Sequence, residues 1–284
     1  MPLLRLHRSL FLIVAFGAFT RPAVAQQPGA TPLPPERIAS VQAQAEVIFH
    51  ARDAIIRGLA YLGNPELPLD PDALLIHAYL KDRFGLPELC SAKRVASQIR
   101  QDPKGDLRPF LRLADTLSFR PEFIALQGKG FNNITLAGIW YDKLSSPSIL
   151  MDRIAKSPID EAYVATHALW AMSMARQCFH AELDTTVEQR LVEKVTERME
   201  HSDPRWGDEA VEALAMLQYN DPNYVPPYKY IQQLVDLQNP NGSWSWNPGQ
   251  EVTGSQHTTV LALWALLQYK PLAWPTQPRN MVLR

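Results

Sequence analysis

Acidic and histidine residues recur at the start of successive apolar segments of this 284-residue chain. The first residues of four such segments are Asp70 and Asp72, Asp160 and Glu161, Asp208 and Glu209, and Gln256 and His257. His77, His167 and Glu212 follow within about two helical turns of three of these starts. Carboxylates and imidazoles are the side chains that most often transfer protons or hold metal ions.

These side chains could form one site if the apolar segments are parallel helices, because their N-termini would then gather at one end of the fold. The candidate catalytic residues are His167, Asp208, Glu212 and His257. Such a polar rim also fits a polysaccharide lyase or hydrolase, in which a His or Tyr acts as general base and aromatic, Arg and carboxylate side chains hold sugar. Residues of those types are Tyr163, His167, Arg205, Trp206 and His257.

The same residues also have a purely structural interpretation. Acidic side chains at helix N-termini accept hydrogen bonds from free backbone N–H groups and complement the helix dipole. Asp72, Asp160 and Asp208 would then each cap their own helix. His167 lies among Ala, Leu and Trp, which is typical of a hydrogen-bonded histidine in a core.

The elements that would position these residues are predicted to be helices in pairs. Apolar residues recur at three- and four-residue steps, and strongly apolar segments alternate with amphipathic, charged ones. The segments 210–220 and 260–270 both contain Leu-Gln-Tyr, fifty residues apart. An apolar helix needs cover on most sides, whereas an amphipathic helix needs it on one stripe. The pattern therefore predicts an all-α fold of helical hairpins, arranged as an α/α toroid or an open arc.

One turn in the last repeat carries a recognisable motif. Gln238, Gly242 and Trp244, in the spacing Gln-x-x-x-Gly-x-Trp, resemble the Gln-Trp repeat of the terpenoid cyclase and protein prenyltransferase superfamily. The segments 54–62 and 254–267 are similar to outer and inner helices of squalene–hopene cyclase repeats. The resemblance implies the toroid fold, with the motif between an outer and an inner helix.

The turn itself has a structural and a functional interpretation. Gly242 permits a positive φ, the Gln238 amide can satisfy backbone groups, and Trp244 can bury a large area. Two Trp residues at i and i+2 point to opposite sides of an extended chain, so we expect one to pack and the other to stay exposed. Trp246 could then form an aromatic platform for a sugar or lipid, with Trp206 and Tyr163 as further ligand-binding candidates.

The resemblance also bears on cofactors. The pair His257-Thr258 resembles the His-Thr of prenyltransferase β subunits, whose His binds catalytic zinc, and this implies zinc at His257 and Asp208. The matching Asp-x-Cys is incomplete, because Ala210 stands where the family has Cys; Glu209 or Glu212 could supply an oxygen ligand instead. The Asp-x-Asp-Asp and Asp-Asp-x-x-Asp motifs of terpene cyclases are absent. No other cofactor motif is found.

The N-terminal sequence and the cysteines indicate where the protein resides. Residues 1–25 have a basic start, a short apolar run and an Ala-x-Ala end, which predicts a cleaved secretory signal and a secreted or periplasmic protein. Residues 26–35 form a Pro-rich leader, and 36–284 are interpreted as one toroid domain without a transmembrane segment. An oxidising compartment permits a disulfide between Cys90 and Cys178, which could equally be buried thiols.

Two functions remain open at this stage. The net charge of −1 gives no electrostatic basis for nucleic-acid binding. A scaffold that binds a small hydrophobic or glycan-like ligand, or a protein partner, agrees with the missing catalytic motifs. An extracytoplasmic enzyme agrees with the His and carboxylate rim. An enzyme should bring perturbed ionisable groups together in a pocket. In a scaffold these groups should be spread apart and solvated.

Overall fold

The computed structural model describes residues 35–67, 70–101, 108–113, 131–201, 206–247 and 254–276. The chain divides into two units, Met1–Ser40 and Val41–Arg284. Within the first unit the described residues belong to the start of the first helix. The predicted signal peptide and almost all of the predicted leader lie outside the described residues. All statements below concern the second unit.

The described part of the chain is all-α, as the sequence predicts, and a single antiparallel bridge joins Trp244 and Ser255. The α-helices are α1 (Pro35–Leu62), α2 (Pro71–Phe84), α3 (Ala92–Gln101), α4 (Asn132–Ile139), α5 (Ser148–Ala155), α6 (Ala162–Phe179), α7 (Thr185–His201), α8 (Asp208–Asn220), α9 (Tyr228–Asp236) and α10 (Gln256–Gln268). Short 3-10 helices cover Arg108–Leu113, Tyr141–Lys143 and Lys270–Leu272. None of the helices described is long and apolar enough to cross a membrane.

Burial follows the predicted alternation of apolar and amphipathic helices. In α8 every residue except Glu209 is buried, and in α10 the whole run Thr258–Leu267 is buried. The amphipathic helices α7 and α9 bury a single stripe each. The apolar helices therefore form the core, and the amphipathic ones cover it.

The apolar helices contact one another in sequence. Helix α4 packs on α6, α6 on α8, α8 on α10, and α10 on α2; the 3-10 helix Arg108–Leu113 contacts both α2 and α4. Side chains from the N-terminal turns of α6, α8 and α10 meet at one end, and the C-terminal turns of α2, α6, α8 and α10 line a pocket at the other. These helices therefore run in the same direction. Such a circuit is what an α/α toroid requires, and the toroid itself stays a prediction.

Helices α4 and α6 approach each other closely at Gly138 and Ala171. A Cβ atom added at Gly138 would lie 2.5 Å from Ala171 Cα and 2.7 Å from Ala171 O. Only a residue without a side chain fits at this crossing. Because α4 carries Thr135 and α6 carries His167, this crossing sets the spacing of two residues of the candidate site.

The turn between α9 and α10 braces the fold, in agreement with the structural interpretation of its motif. Gln238 donates hydrogen bonds of 2.8 Å to Ala54 O in α1 and 2.9 Å to Gly242 O. Gly242 has a φ of +88° and would place a Cβ only 2.4 Å from Arg57 O. Trp244 is 1% exposed and donates from Nε1 to Leu234 O at 2.7 Å. The motif thus fastens the last hairpin to α1.

Some local expectations differ from the structure. The segment 128–133, Gly-Lys-Gly-Phe-Asn-Asn, predicts a loop, but Asn132 and Asn133 begin α4. The segment 106–118 predicts a short helix; within it Arg108–Leu113 form a 3-10 helix, and the other residues lie outside the described part. The structure has no disulfide: Cys90 and Cys178 are both thiols. Cys90 is buried just before α3, and Cys178 is partly buried near the end of α6.

Candidate functional site

Two carboxylates lie side by side on α8. Asp208 and Glu212 are one helical turn apart, so their side chains project from the same face. Asp208 is 1% exposed and Glu212 is 4% exposed. Burial of two neighbouring carboxylates is unfavourable unless a proton, a hydrogen-bond donor or a cation accompanies them.

The imidazole of His257 completes the cluster. It enters from the first turn of α10, which Ser255 caps by accepting a hydrogen bond from Thr258 N. His257 Nε2 lies 3.7 Å from Asp208 Oδ2. One ligand atom each from Asp208, Glu212 and His257 lies within 4.8 Å of the other two. His257 Nδ1 is buried and has no hydrogen-bond partner among the described residues.

Hydroxyl groups from neighbouring helices orient Asp208. Thr258 Oγ1 donates to Asp208 Oδ1 at 2.6 Å, and Tyr163 OH donates to Asp208 Oδ2 at 3.3 Å. The expected N-cap role of Asp208 is therefore wrong. Gly207 occupies the N-cap of α8, and the Asp208 side chain bonds to α6 and α10 rather than to its own helix.

A second histidine contacts the other carboxylate. His167 Nε2 lies 3.6 Å from Glu212 Oε1, and the Thr166 hydroxyl donates to the same oxygen. The other ring nitrogen, His167 Nδ1, is hydrogen-bonded to Thr135 Oγ1 at 2.7 Å. Phe131 packs on the imidazole with ring centroids 4.3 Å apart.

Burial changes the ionisation of both partners in this pair. Burial, opposed by the hydrogen bond from Thr166 and assisted by the Asp208 and Glu209 charges, raises the pKa of Glu212 to about 8. Burial, together with the nearby His257, lowers the pKa of His167 to about 3. Without a cation both groups are thus neutral at pH 7, and the pair is not an ion pair despite its short distance. The low pKa also makes His167 a weak base.

The Asp208 carboxyl and Tyr163 are shifted as well. Burial raises the pKa of Asp208, whereas the His257 charge and the hydrogen bonds from Thr258 and Tyr163 lower it, and the Asp70 charge raises it. Burial, followed by the charges of Asp208 and Glu212, raises the pKa of Tyr163. Tyr163 therefore keeps its proton and donates a hydrogen bond to Asp208.

A pocket of about 730 Å³ opens beside the cluster. Asp208, Tyr163 and Trp246 form the wall on the side of the cluster, and α7 forms the opposite wall with Lys194 and Arg198. Trp246 is 42% exposed, and its ring centroid lies 6.1 Å from those of both Tyr163 and His257. The exposed aromatic ring thus borders the cluster and the pocket at once.

The structure brings together most of the predicted site residues and separates others. Six of them converge: His167, Asp208, Glu212, His257, Tyr163 and Trp246. As expected, Trp244 is buried and Trp246 is exposed.

Other candidate residues lie elsewhere. Asp160 is exposed and pairs with Lys194 at 3.1 Å. The sequence predicts that Trp206 binds ligand, but this residue is buried and stacks on Tyr230 of α9, with ring centroids 5.3 Å apart. It therefore packs against α9 and does not line the site. Arg205 and the Asp72 side chain lie outside the described residues.

Three threonines that the sequence analysis did not assign complete the site. Thr166 precedes His167 and Thr258 follows His257 in the sequence, so each adjoins a candidate histidine at the start of a helix. That adjacency is a signal that could have been used. Thr135 has no comparable signal, because α4 reaches His167 only through tertiary packing.

The donor set fits a divalent metal ion. One imidazole nitrogen and two carboxylate oxygens would leave coordination positions open, as in catalytic rather than structural zinc sites. Burial raises the pKa of both carboxyls and so disfavours their charged forms, and a bound cation would offset this effect. Oxygen-rich sites also suit Mn²⁺ or Mg²⁺, and the imidazole favours zinc among these ions.

Comparison with protein-family models, curated proteins and solved structures returned no match to this chain.

Proposed function

We propose that this protein is a metal-dependent enzyme whose centre is formed by Asp208, Glu212 and His257. The observation that carries the proposal is the approach of their ligand atoms to within 4.8 Å of one another beside a large pocket, with both carboxylates buried and the imidazole partly exposed. Of the two interpretations left open by the sequence, this convergence favours the enzyme, because a scaffold would leave these groups spread apart and solvated.

The chain's own residues would hold and shield the reacting groups. Thr258 and Tyr163 orient Asp208 by hydrogen bonds, and Thr166 orients Glu212 in the same way. A zinc ion bound there would supply Lewis-acid polarisation of a substrate oxygen. The charge of the ion would also keep Glu212 ionised at neutral pH, since a nearby positive charge lowers the pKa of a carboxyl.

The pocket supports a glycan as substrate, cleaved by hydrolysis. Its wall combines the exposed Trp246 ring with Tyr163 and the Asn247 amide. Aromatic rings provide apolar faces for a sugar ring, and the amide can bond to hydroxyl groups. Two cationic side chains of the pocket form ion pairs with acidic ones: Lys194 contacts Asp160 at 3.1 Å, and Arg198 contacts Glu209 at 3.5 Å. The described lining has four acidic side chains, Asp160, Glu197, Asp208 and Glu209, against these two cations, which disfavours an anionic substrate and suits a neutral sugar.

Metal content of the mature protein, residues 26 onward, tests the centre. Protein equilibrated with zinc and then desalted should retain close to one ion per chain by mass spectrometry. His257→Ala and Glu212→Gln should lose it. The matched controls, His201→Ala and Glu209→Gln, change residues of the same types that line the same pocket outside the cluster, and they should keep it. Absence of zinc in the wild type, or equal content in all variants, would reject the centre.

A second candidate is a glycan-binding domain without turnover, and the exposure of Trp246 favours it. A panel of neutral polysaccharides separates the two candidates. Release of reducing ends that depends on His257 supports the enzyme. Binding that Trp246→Ala abolishes, with no product formed by the wild type, supports the binding domain.

A further inference from the structure

A second pocket, of about 390 Å³, opens at the C-terminal ends of the same helices, and we call it the distal pocket. The residues of this pocket that matter here are Tyr79 and Arg83 of α2, Gln218 and Tyr219 of α8, Gln268 of α10, and Lys270. Its volume falls within the range of roughly 300–1,000 Å³ that small-molecule sites occupy. Neither the metal cluster nor the first pocket uses any of these residues.

The repeated Leu-Gln-Tyr sequence supplies two glutamines to this pocket, and only one of them is hydrogen-bonded to the protein. The Gln268 amide donates to Ala215 O at 3.1 Å. Gln218 is 3% exposed, and both its amide nitrogen and its amide oxygen lack a hydrogen-bond partner among the described residues. The hydroxyl of the buried Tyr219 also lacks one. A buried amide with neither its nitrogen nor its oxygen hydrogen-bonded destabilises the folded protein. Such groups in native proteins often have a functional reason.

A ligand that satisfies Gln218 must both donate and accept hydrogen bonds. An amide presents one acceptor and two donor hydrogens, so a carboxylate alone would leave its oxygen unpaired. Vicinal hydroxyl groups meet both needs. The glutamine side chain has three torsions, so it can turn its amide toward a molecule in the pocket.

The charge of the pocket adds a second requirement. Arg83 and Lys270 line it, and no acidic residue is among the described residues that do. Tyrosine and tryptophan side chains, including Tyr79 and Trp274, provide apolar faces for a ring. The ligand should therefore be an anion that carries hydroxyl groups on a compact ring.

We infer that the distal pocket binds an acidic sugar, with its hydroxyl groups on Gln218 and Tyr219 and its carboxylate toward Arg83 and Lys270. This site is separate from the proposed metal centre and does not depend on it. The described lining of the first pocket has more acidic than cationic side chains, whereas that of the distal pocket has cationic side chains and no acidic ones. The two sites would thus take sugars of different charge.

Calorimetric titration of the mature protein with digalacturonate, and with cellobiose as a neutral counterpart, tests this site. Digalacturonate should bind at least about tenfold more tightly than cellobiose. Gln218→Leu should weaken digalacturonate binding by about tenfold or more, because it removes two hydrogen bonds. The same variant should raise the Tm of the sugar-free protein by about 3 °C or more, because it removes an unpaired buried amide.

Gln268→Leu is the matched control, since it removes a paired amide from the same pocket and should lower the Tm. Tyr219→Phe is a second variant, which keeps the inference testable if Gln218→Leu does not fold. It removes only the unpaired hydroxyl, and it should weaken digalacturonate binding without lowering the Tm. His257→Ala should bind digalacturonate as the wild type does, which separates this site from the metal centre. Failure of the wild type to bind digalacturonate, equal binding of cellobiose, or unchanged binding by both Gln218→Leu and Tyr219→Phe would each overturn the inference.

Discussion

Thr258 donates a hydrogen bond of 2.6 Å to the buried carboxylate of Asp208, fifty residues earlier in the chain. The bond links the first turn of α10 to the first turn of α8, and both turns carry residues of the candidate metal centre. A hydroxyl that orients a ligating carboxylate affects metal affinity as well as folding.

Thr258→Val should therefore weaken zinc binding. The substitution keeps the volume of the side chain but removes the donor to Asp208, and loss of such a supporting bond typically costs about 10- to 100-fold in metal affinity. Competition with a chromophoric chelator measures the change. Thr258→Ser retains the hydroxyl and should remain within about threefold of the wild type. Equal affinity of the Val variant and the wild type would mean that Asp208 does not hold the metal.

The two tryptophans of the last turn should differ in their effect on stability. Trp244→Phe loses the hydrogen bond to Leu234 O and part of a fully buried ring, so the free energy of unfolding should fall by about 2 kcal/mol or more. Trp246→Phe should change it by less than about 0.5 kcal/mol, because that ring is largely at the surface. Urea unfolding of both variants tests the contrast. A similar loss in both would show that Trp246 also supports the fold.

Gly138→Ala should destabilise the protein by about 2 kcal/mol or more, because the added methyl group would collide with the backbone of Ala171. Ala171→Gly should restore stability only in part in the double variant, because it removes the Cβ at 2.7 Å but leaves the Cα at 2.5 Å and the O at 2.7 Å. Thermal unfolding of the single and double variants measures both effects. Full rescue would indicate that α4 and α6 meet mainly through the Ala171 methyl group.

Protonation of His77 should make the folded protein less stable in mild acid than at neutral pH. Burial lowers the pKa of His77 to about 4, against the raising effect of Asp70, whereas an unfolded His titrates near 6.5. The unfolded chain therefore binds the proton first, and stability falls as the pH drops from about 6.5 to about 4, by at most about 3 kcal/mol.

His77→Leu removes this titration. The variant should show a smaller loss of stability between pH 7 and pH 4.5 than the wild type in urea unfolding at both pH values. An unchanged difference would mean that His77 is already protonated in the folded protein or that other groups dominate acid unfolding.

Much of the helical framework could be predicted from the sequence. Apolar periodicity predicts α8 and α10 as core helices and α7 and α9 as covers, because a helix must bury its apolar face. The spacing of Gln238, Gly242 and Trp244 predicts a bracing turn, because only glycine tolerates the backbone conformation there. The acidic and histidine residues at the helix starts could also be found by sequence alone.

Only the tertiary structure decided what those residues do. Helix packing turned the Asp208 side chain from its own helix toward Thr258 and Tyr163, which no local rule on helix caps foresees. The same packing buried Trp206 and left Trp246 exposed, although both are tryptophans beside helix ends. It also left the Gln218 amide unpaired while pairing Gln268 in the same repeated sequence.

The sequence by itself therefore determined which faces are buried and which ionisable residues lie at helix starts, because these follow from local periodicity and composition. The distances, burial and hydrogen-bond partners that shift a pKa or form a ligand set depend on segments up to about two hundred residues apart, such as the contact between Gln238 and Ala54. Those arise only when the helices pack.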